Sequence, residues 1–403
     1  MSEWTTIRLG SVVRTNTTSY SPKEGWKYVN YLDTGNITEN VIDSIHHIDL
    51  ENEKLPSRAK RKVQMNSILY STVRPNQKHF GIIKSMPKNF LVSTGFAVID
   101  VISEKADADY LYFWLTQNTV VEQLHAIAEQ SVSAYPSIKA SDIENLEIAL
   151  PPLTVQKSIA SILKSISDKM SHNSNINENL EQQIRSLFRL QFTDNPALEK
   201  MKQVPLSDLC QIVTKGTTPT TLGKPFVKSG INFIKAESIL DSHAIDKNKF
   251  SFIDNETNAL LKRSVIKAGD IVFTIAGTLG RFALIDKNVL PANTNQAVAI
   301  IRVDAEKVLP EYIYACFIGG WHNHYYKKRV QQAVQANLSL TTIKSLPIPL
   351  LDESEMVNFT KLIIPLIKII KQHEVQNEIL TSMRDTLLSK LMSGEIDVSK
   401  LDI

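Results

Sequence analysis

The sequence runs through one ordered set of residues twice, at an offset of about 200 positions. Ile7, Leu9 and Val12 answer to Val204, Leu206 and Leu209, and Asp109-Tyr110-Leu111-Tyr112 answers to Glu311-Tyr312-Ile313-Tyr314. Between them, Ser67-Ile68-Leu69-Tyr70-Ser71 matches Asp270-Ile271-Val272-Phe273-Thr274, and Ile143, Leu146, Ile148 and Leu150 match Ile343, Leu346, Ile348 and Leu350. Single coincidences are common, but coincidences kept in order along a whole chain mark a duplication, so the chain is expected to fold as two similar halves. Its 403 residues suit that, since a domain takes roughly 150.

Periodicity divides each half again. Residues 1–150 mix short β-rich runs (28–32, 67–73 and 96–102) with a helical pattern over 109–130, and Ser141 with Glu144 has capping-box spacing for a short helix. Residues 151–195 turn helical, with Ile159, Ile162, Ile166, Ile176, Leu180, Leu187 and Leu190 at heptad spacing. Residues 196–350 repeat the α+β scheme. Residues 351–403 repeat the helix through Phe359, Leu362, Leu366, Ile369, Leu380, Met383 and Leu387.

A single apolar stripe is most simply a core-facing side of a helix. Helices of about 40 residues, however, are roughly 60 Å long, too long to lie inside either α+β domain. Two matched seams therefore predict that Ile159, Ile162, Ile166, Asn173, Leu180 and Leu187 pair with Phe359, Leu362, Leu366, His373, Leu380 and Leu387. Both seams turn polar midway, at Lys169, Asn173 and Gln183 in one and His373 and Gln376 in the other, and an antiparallel pair brings Asn173 close to His373 and Gln376. The expected fold is α+β: two similar domains separated by two long antiparallel, coiled-coil-like helices, with an internal pseudo-two-fold duplication.

Lys+Arg (45) against Asp+Glu (42) gives +3, which neither demands nor excludes nucleic acid, because binding follows local charge. Two cysteines, Cys210 and Cys316, supply no metal framework and suit a reducing, cytoplasmic compartment. The N-terminus has no apolar core of a signal, and the apolar run 361–371 is short, flanked by lysines and broken by Pro365, so neither export nor a membrane span is expected.

No catalytic constellation emerges. The 216–224 stretch, GTTPTTLGK, has the wrong glycine spacing for a phosphate loop, and Pro225 follows where Ser or Thr is needed. The nine histidines form no H-E-x-x-H, and His322 with His324 lacks a nearby Cys or carboxylate, so no metal is expected. Asp194-Asn195-Pro196-Ala197 lacks the second Pro and the aromatic of an amino-methyltransferase segment.

What the chain does carry is patches suited to phosphates and base edges. Lys54, Arg58, Lys60, Arg61 and Lys62 crowd into nine residues, Arg74-Pro75-Asn76-Gln77-Lys78-His79 follows a strand, and Lys327-Lys328-Arg329 with Gln331 and Gln332 lies on a helix. In the second half, Lys215-Gly216-Thr217-Thr218-Pro219 and Asn293-Thr294-Asn295-Gln296 are polar loops beside strands. Each alone is most simply solvated surface. Their recurrence at related places in both halves favours a shared binding face, with Lys60, Arg61, Arg74, Asn76 and Lys78 in one domain. Lys215, Thr217, Thr218, Arg281, Asn295, Gln296 and Lys328 form its counterpart in the other.

Leu150-Pro151-Pro152-Leu153-Thr154-Val155-Gln156, followed by Ile159 and Leu163, resembles the LPPLxEQ segment of specificity (S) subunits of type I restriction-modification systems. The 383–396 stretch, MRDTLLSKLMSGEI, is similar to that family's closing segment, Gly216-Thr217-Thr218-Pro219 to its GxTP loop and Gly269-Asp270-Ile271 to its GDI strand. The resemblance runs along essentially the whole chain. It departs at Val155, where Glu is usual, at Leu351-Asp352-Glu353-Ser354-Glu355, which lacks Pro-Pro, and at Asn16-Thr17-Thr18-Ser19, where the first domain has no GxTP.

The resemblance implies that each α+β domain is a target recognition domain reading one half of an asymmetric bipartite site in double-stranded DNA. The helices then set the spacing and dock two modification subunits, which carry S-adenosylmethionine and methylate adenine. Restriction subunits, using ATP and Mg, join to translocate and cleave DNA, and this chain itself holds no cofactor. Two other classes fit the residues taken alone: a single-chain methyltransferase or nuclease with an unrecognised site, and a coiled-coil scaffold that binds other proteins.

Overall fold

The computed structural model describes residues 4–131, 135–195, 201–323, 325 and 337–398. They fall into two compact units, Met1–Lys169 with Leu380–Ile403, and Met170–Ile379.

In the first unit, Val13–Thr15, Phe96–Val101, Ile68–Ser71 and Phe80–Ile82 form one antiparallel sheet in that order. A second sheet orders His46–Asp49, Tyr28–Leu32, Phe90–Ser93 and Ala59–Arg61, with Tyr28–Leu32 and Phe90–Ser93 parallel. Ile68-Leu69-Tyr70 reads as an unbroken apolar run because the first sheet is covered on both faces. Ile68, Tyr70, Ala97 and Ile99 face a core shared with the helices Ala108–Leu115 and Asn118–Glu129. The alternate residues Leu69, Phe96 and Val98 face Leu32 and Val92 of the second sheet.

The second unit repeats this plan. Cys210–Lys215, Val298–Val303, Ile271–Thr274 and Phe282–Leu284 take the same order, and Ile231–Ile234 again runs parallel to its neighbour, Ala292–Thr294, with Ser251–Ile253 on its other side. The fourth strand of that sheet is reduced to a single bridge, Ile266 to Ala292. In each unit a short terminal strand closes the domain, Thr5–Arg8 on Glu147–Leu150 and Gln203–Pro205 on Pro347–Pro349. The duplication in sequence is thus a duplication in strand order within an α+β fold.

Two long helices follow, Leu153–Phe188 and Glu353–Met392, the first running on into a π-helical turn at Arg189–Thr193. Within the second unit they run antiparallel: Asn173 meets Gln376 and Asn377, and Asn177 meets His373 and the carbonyl of Ile370. Within the first unit, Ile159 and Leu163 share a core with Leu391, packed by Leu387 and Leu388.

The seam differs in phase from the spacing read in the sequence. Ile159, Leu163, Ile166, Asn173, Leu180, Ile184 and Phe188 are buried, Ile162 and Leu187 half-buried, and Ile176 and Leu190 exposed. Along the second helix Phe359, Ile363, Ile367 and Ile370 are buried, Leu366, His373, Leu380 and Leu387 are half-buried, while Ile369, Met383 and, at 57% exposure, Leu362 face outward. Every seventh residue lies on the seam as spaced, but its companion comes four residues later rather than three. Leu362 is therefore not a pairing residue, and Ile363 takes that place against Phe359 and Ile184 in one core. Spacings of three and four fit a 3.6-residue turn equally well, and apolar residues flank the seam on both sides, so local pattern alone could not choose. Likewise Ser141 does not start its short helix. Ala140–Glu144 is capped by Lys139, whose N–H donates to Asp142 at 2.7 Å.

Candidate nucleic-acid interface

In the second domain the loop after Cys210–Lys215 folds onto the turn before Val298–Val303. The Gly216 N–H donates to the Asn295 carbonyl at 3.0 Å. A Cβ on Gly216 would lie 1.8 Å from the Thr294 oxygen, so only glycine permits this approach. Thr218 Oγ1 donates to Gln296 Oε1, and Arg263 Nη2 reaches Thr217 Oγ1 at 3.5 Å. Pro219–Leu222 then forms a 3₁₀ turn that Gly223 ends in the left-handed region. Lys215, Thr217, Thr218 and Gln296 are thereby gathered around one loop.

Asn295 shapes the turn, its Oδ1 accepting the Ala297 N–H at 3.0 Å, and buried Asn293 ties the strand to Ser264 and Asn258. Arg281 is held by a bidentate ion pair to Asp241, with Nε at 2.7 Å and Nη2 at 2.5 Å, so its charge is already met within the chain. Arg263, exposed beside Thr217, escaped the sequence reading because only the fold brings residues so far apart in the chain together.

The first domain builds its face differently. Asn16, at φ 55°, takes the place of the glycine loop, its Oδ1 accepting the Val98 N–H at 3.0 Å while Thr17 Oγ1 donates to Asp100 at 2.6 Å. The hairpin between Ile68–Ser71 and Phe80–Ile82 carries a 3₁₀ turn, Pro75–Gln77, flanked by Arg74 and Lys78 at φ 47° and 56°. Arg74 and Asn76 are exposed, whereas Lys78 is paired with Glu39 at 2.9 Å. Lys60 is exposed on Ala59–Arg61, while Arg61 is half-buried, with Nη1 enclosed without a partner and burial pulling its guanidinium below its ordinary value. Lys62 pairs with Glu24 and lies over the Trp26 ring at 5.1 Å. Lys328, with its neighbours Lys327, Arg329, Gln331 and Gln332, lies outside the described residues.

Among the described residues no group of three or more His, Cys, Asp and Glu side chains could hold a metal ion. His322 packs edge-on against Phe273, Phe282 and Phe317, and burial pulls its pKa down to about 3. That is a core histidine rather than a ligand. No helix among the described residues is long and apolar enough to cross a membrane.

The family described as Type I restriction modification DNA specificity domain matches twice, over residues 1–182 and 198–380. The specificity subunit of the type I restriction enzyme HindI from Haemophilus influenzae is 24% identical over 469 residues, covering 98% of this chain and 100% of that protein. The MjaIX specificity subunit from Methanocaldococcus jannaschii is 23% identical over 314 residues, covering 73% of this chain and 70% of that protein. Among solved structures, the type I restriction-modification S subunit from M. genitalium matches with a TM-score of 0.57 at 16% identity, covering 97% of this chain and 96% of that one. It shares the fold.

Proposed function

The chain belongs to the type I restriction-modification DNA specificity family, and from that premise we propose that it is the subunit that gives such a complex its DNA address. Each α+β domain reads one half of an asymmetric, bipartite site in double-stranded DNA. The observation that carries this is the strand order repeated in both domains, each with a polar loop cluster beside the same central sheet: residues 72–79 in one, and residues 215–218 with Gln296 in the other. Two similar readers suit a divided target, as dimeric readers suit a palindrome, and their different loops make that target asymmetric.

Two modification subunits dock on the long helices, carry S-adenosylmethionine and methylate adenine, while restriction subunits bring ATP and Mg. The docking reading is supported by Ile176, Leu190, Leu362, Ile369 and Met383, which leave apolar side chains in solvent along helices whose seam is already filled. This chain supplies no catalytic group and acts in the cytoplasm, where the DNA is.

Mapping methylated adenines in host DNA with and without the gene tests the role. One bipartite motif should disappear with the gene. Methyl transfer by the purified chain alone would favour the single-chain enzyme, and failure to bind DNA even beside modification subunits would favour the scaffold.

A further inference from the structure

Arg74 differs from the two paired lysines of the first domain's face and, unlike exposed Lys60, rests on an aromatic ring. Lys78 and Lys62 are spent on Glu39 and Glu24, but the Arg74 guanidinium makes no hydrogen bond or ion pair among the described residues. It lies over the ring of Tyr135, 5.2 Å from the centroid, and that ring is itself 60% exposed.

The backbone beneath the pair is fixed on both sides. Arg74 N donates to the Pro136 carbonyl at 2.9 Å, Val73 is bridged to Ser137, and Ile138 N donates to Thr72 O at 2.8 Å. Arg74 sits in the left-handed region at φ 47° with Pro75 next, a conformation that a non-glycine residue keeps only where its surroundings over-determine it.

A phosphate contact asks only for charge, which a flexible lysine supplies as well. A planar guanidinium held against an aromatic face, with its N–H edge unpaired and in solvent, fits instead the two acceptors, O6 and N7, that guanine presents in the major groove. Resting on the DNA-address role proposed above, we infer that Arg74 reads a guanine in the half-site of the first domain and that Tyr135 is its positioning residue. The second domain repeats the anchoring bond, Leu338 N to Ile275 O at 2.9 Å, but its hairpin turn reads Ala276-Gly277-Thr278-Leu279-Gly280 and has no arginine to present. The other half-site is therefore an internal control.

The test uses the full chain with its modification subunits and a set of duplexes in which each base pair of the mapped site is changed in turn. Arg74→Lys keeps the charge and should lose discrimination at one G·C pair of one half-site by roughly 5- to 150-fold. The salt dependence and the other half-site should not move. Tyr135→Phe should keep the wild-type preference, and Tyr135→Leu should relax the same G·C pair and no other. An Arg74→Lys complex weakened equally on every duplex, or with every base preference intact, would overturn the guanine assignment. An unchanged Tyr135→Leu complex would overturn the positioning role. A wild-type complex without base preference on any duplex would overturn the DNA-address role itself.

Discussion

Gly216 shows how one residue can set the course of a loop. The loop reaches Gln296 only because glycine lets its backbone press on Thr294 and Asn295. Gly216→Ala should push the loop away while the sheet beneath it, which does not involve Gly216, stays folded. Methylation mapping should then show the half-site of the second domain relaxed and the other unchanged. Intact specificity in both halves would remove this loop from the reading face.

Glu181 of the first long helix is a second instructive residue. It is buried beside Arg185, 3.4 Å away, and 3.9 Å from His243, whose ring stacks on Phe282; Lys371 and Glu374 of the second helix and Glu178 also act on it. Burial outweighs the pull of Arg185 and pushes Glu181 up to about 7, while burial, with Arg185 and Lys371, pulls His243 down to about 4. The two are thus neutral together near pH 6, at a separation too long for a hydrogen bond.

A carboxyl with a raised folded pKa costs stability as pH rises from its ordinary 4.5 to about 7, because the unfolded chain ionises first. His243 acts with the opposite sign, losing stability as pH falls below 6.5. Glu181→Gln should therefore match wild type near pH 5 and exceed it at pH 8 by on the order of 2 kcal/mol. Denaturant unfolding at the two pH values checks this, and an equal difference at both would contradict it.

At the scale of elements, the middle of the helix pair is a polar layer. Asn173 donates to Gln376 and Asn377, both at 2.8 Å, and leaves its own Oδ1 enclosed without a partner; His373 bonds Asn177 at 2.8 Å rather than Asn173. Buried polar layers of this kind favour one register at a cost in stability. Changing Asn173, Asn177, His373 and Asn377 together to Leu should raise the thermal midpoint by several degrees and admit slipped pairings, seen as heterogeneous cross-linking between the helices. A lowered midpoint with uniform pairing would contradict the register role.

The legibility of these elements follows from the range of the contacts that make them. The repeat, the α+β halves and the two long helices are written in local periodicity, and so is the seventh-residue seam through Ile159, Ile166, Asn173 and Leu180. The other flank of the seam was not legible, because Ile162 and Leu163 are both apolar and only the domain core decides which is covered. The ion pairs that occupy Lys78 and Arg281, the approach of Arg263 to Thr217 and the Tyr135 ring under Arg74 join residues far apart in sequence, where no spacing rule reaches.

At the scale of the whole molecule, each long helix contributes one part to each unit, with the divisions after Lys169 and after Ile379. A continuous helix is a stiff spacer of about 1.5 Å per residue, which makes the pair a candidate ruler for the gap between half-sites. Inserting four helix-forming residues after Lys169 and four after Ile379 adds about one turn, roughly 6 Å, to both helices and brings the apolar faces back to within about 40° of their former positions. With base pairs stacked about 3.4 Å apart, the gap should grow by about one or two pairs. Mapping methylated adenines made by the wild-type and lengthened complexes measures both half-sites and the gap at once. The account predicts two unchanged half-sites separated by a longer gap; an altered half-site with an unaltered gap, or a single uninterrupted motif, would contradict it.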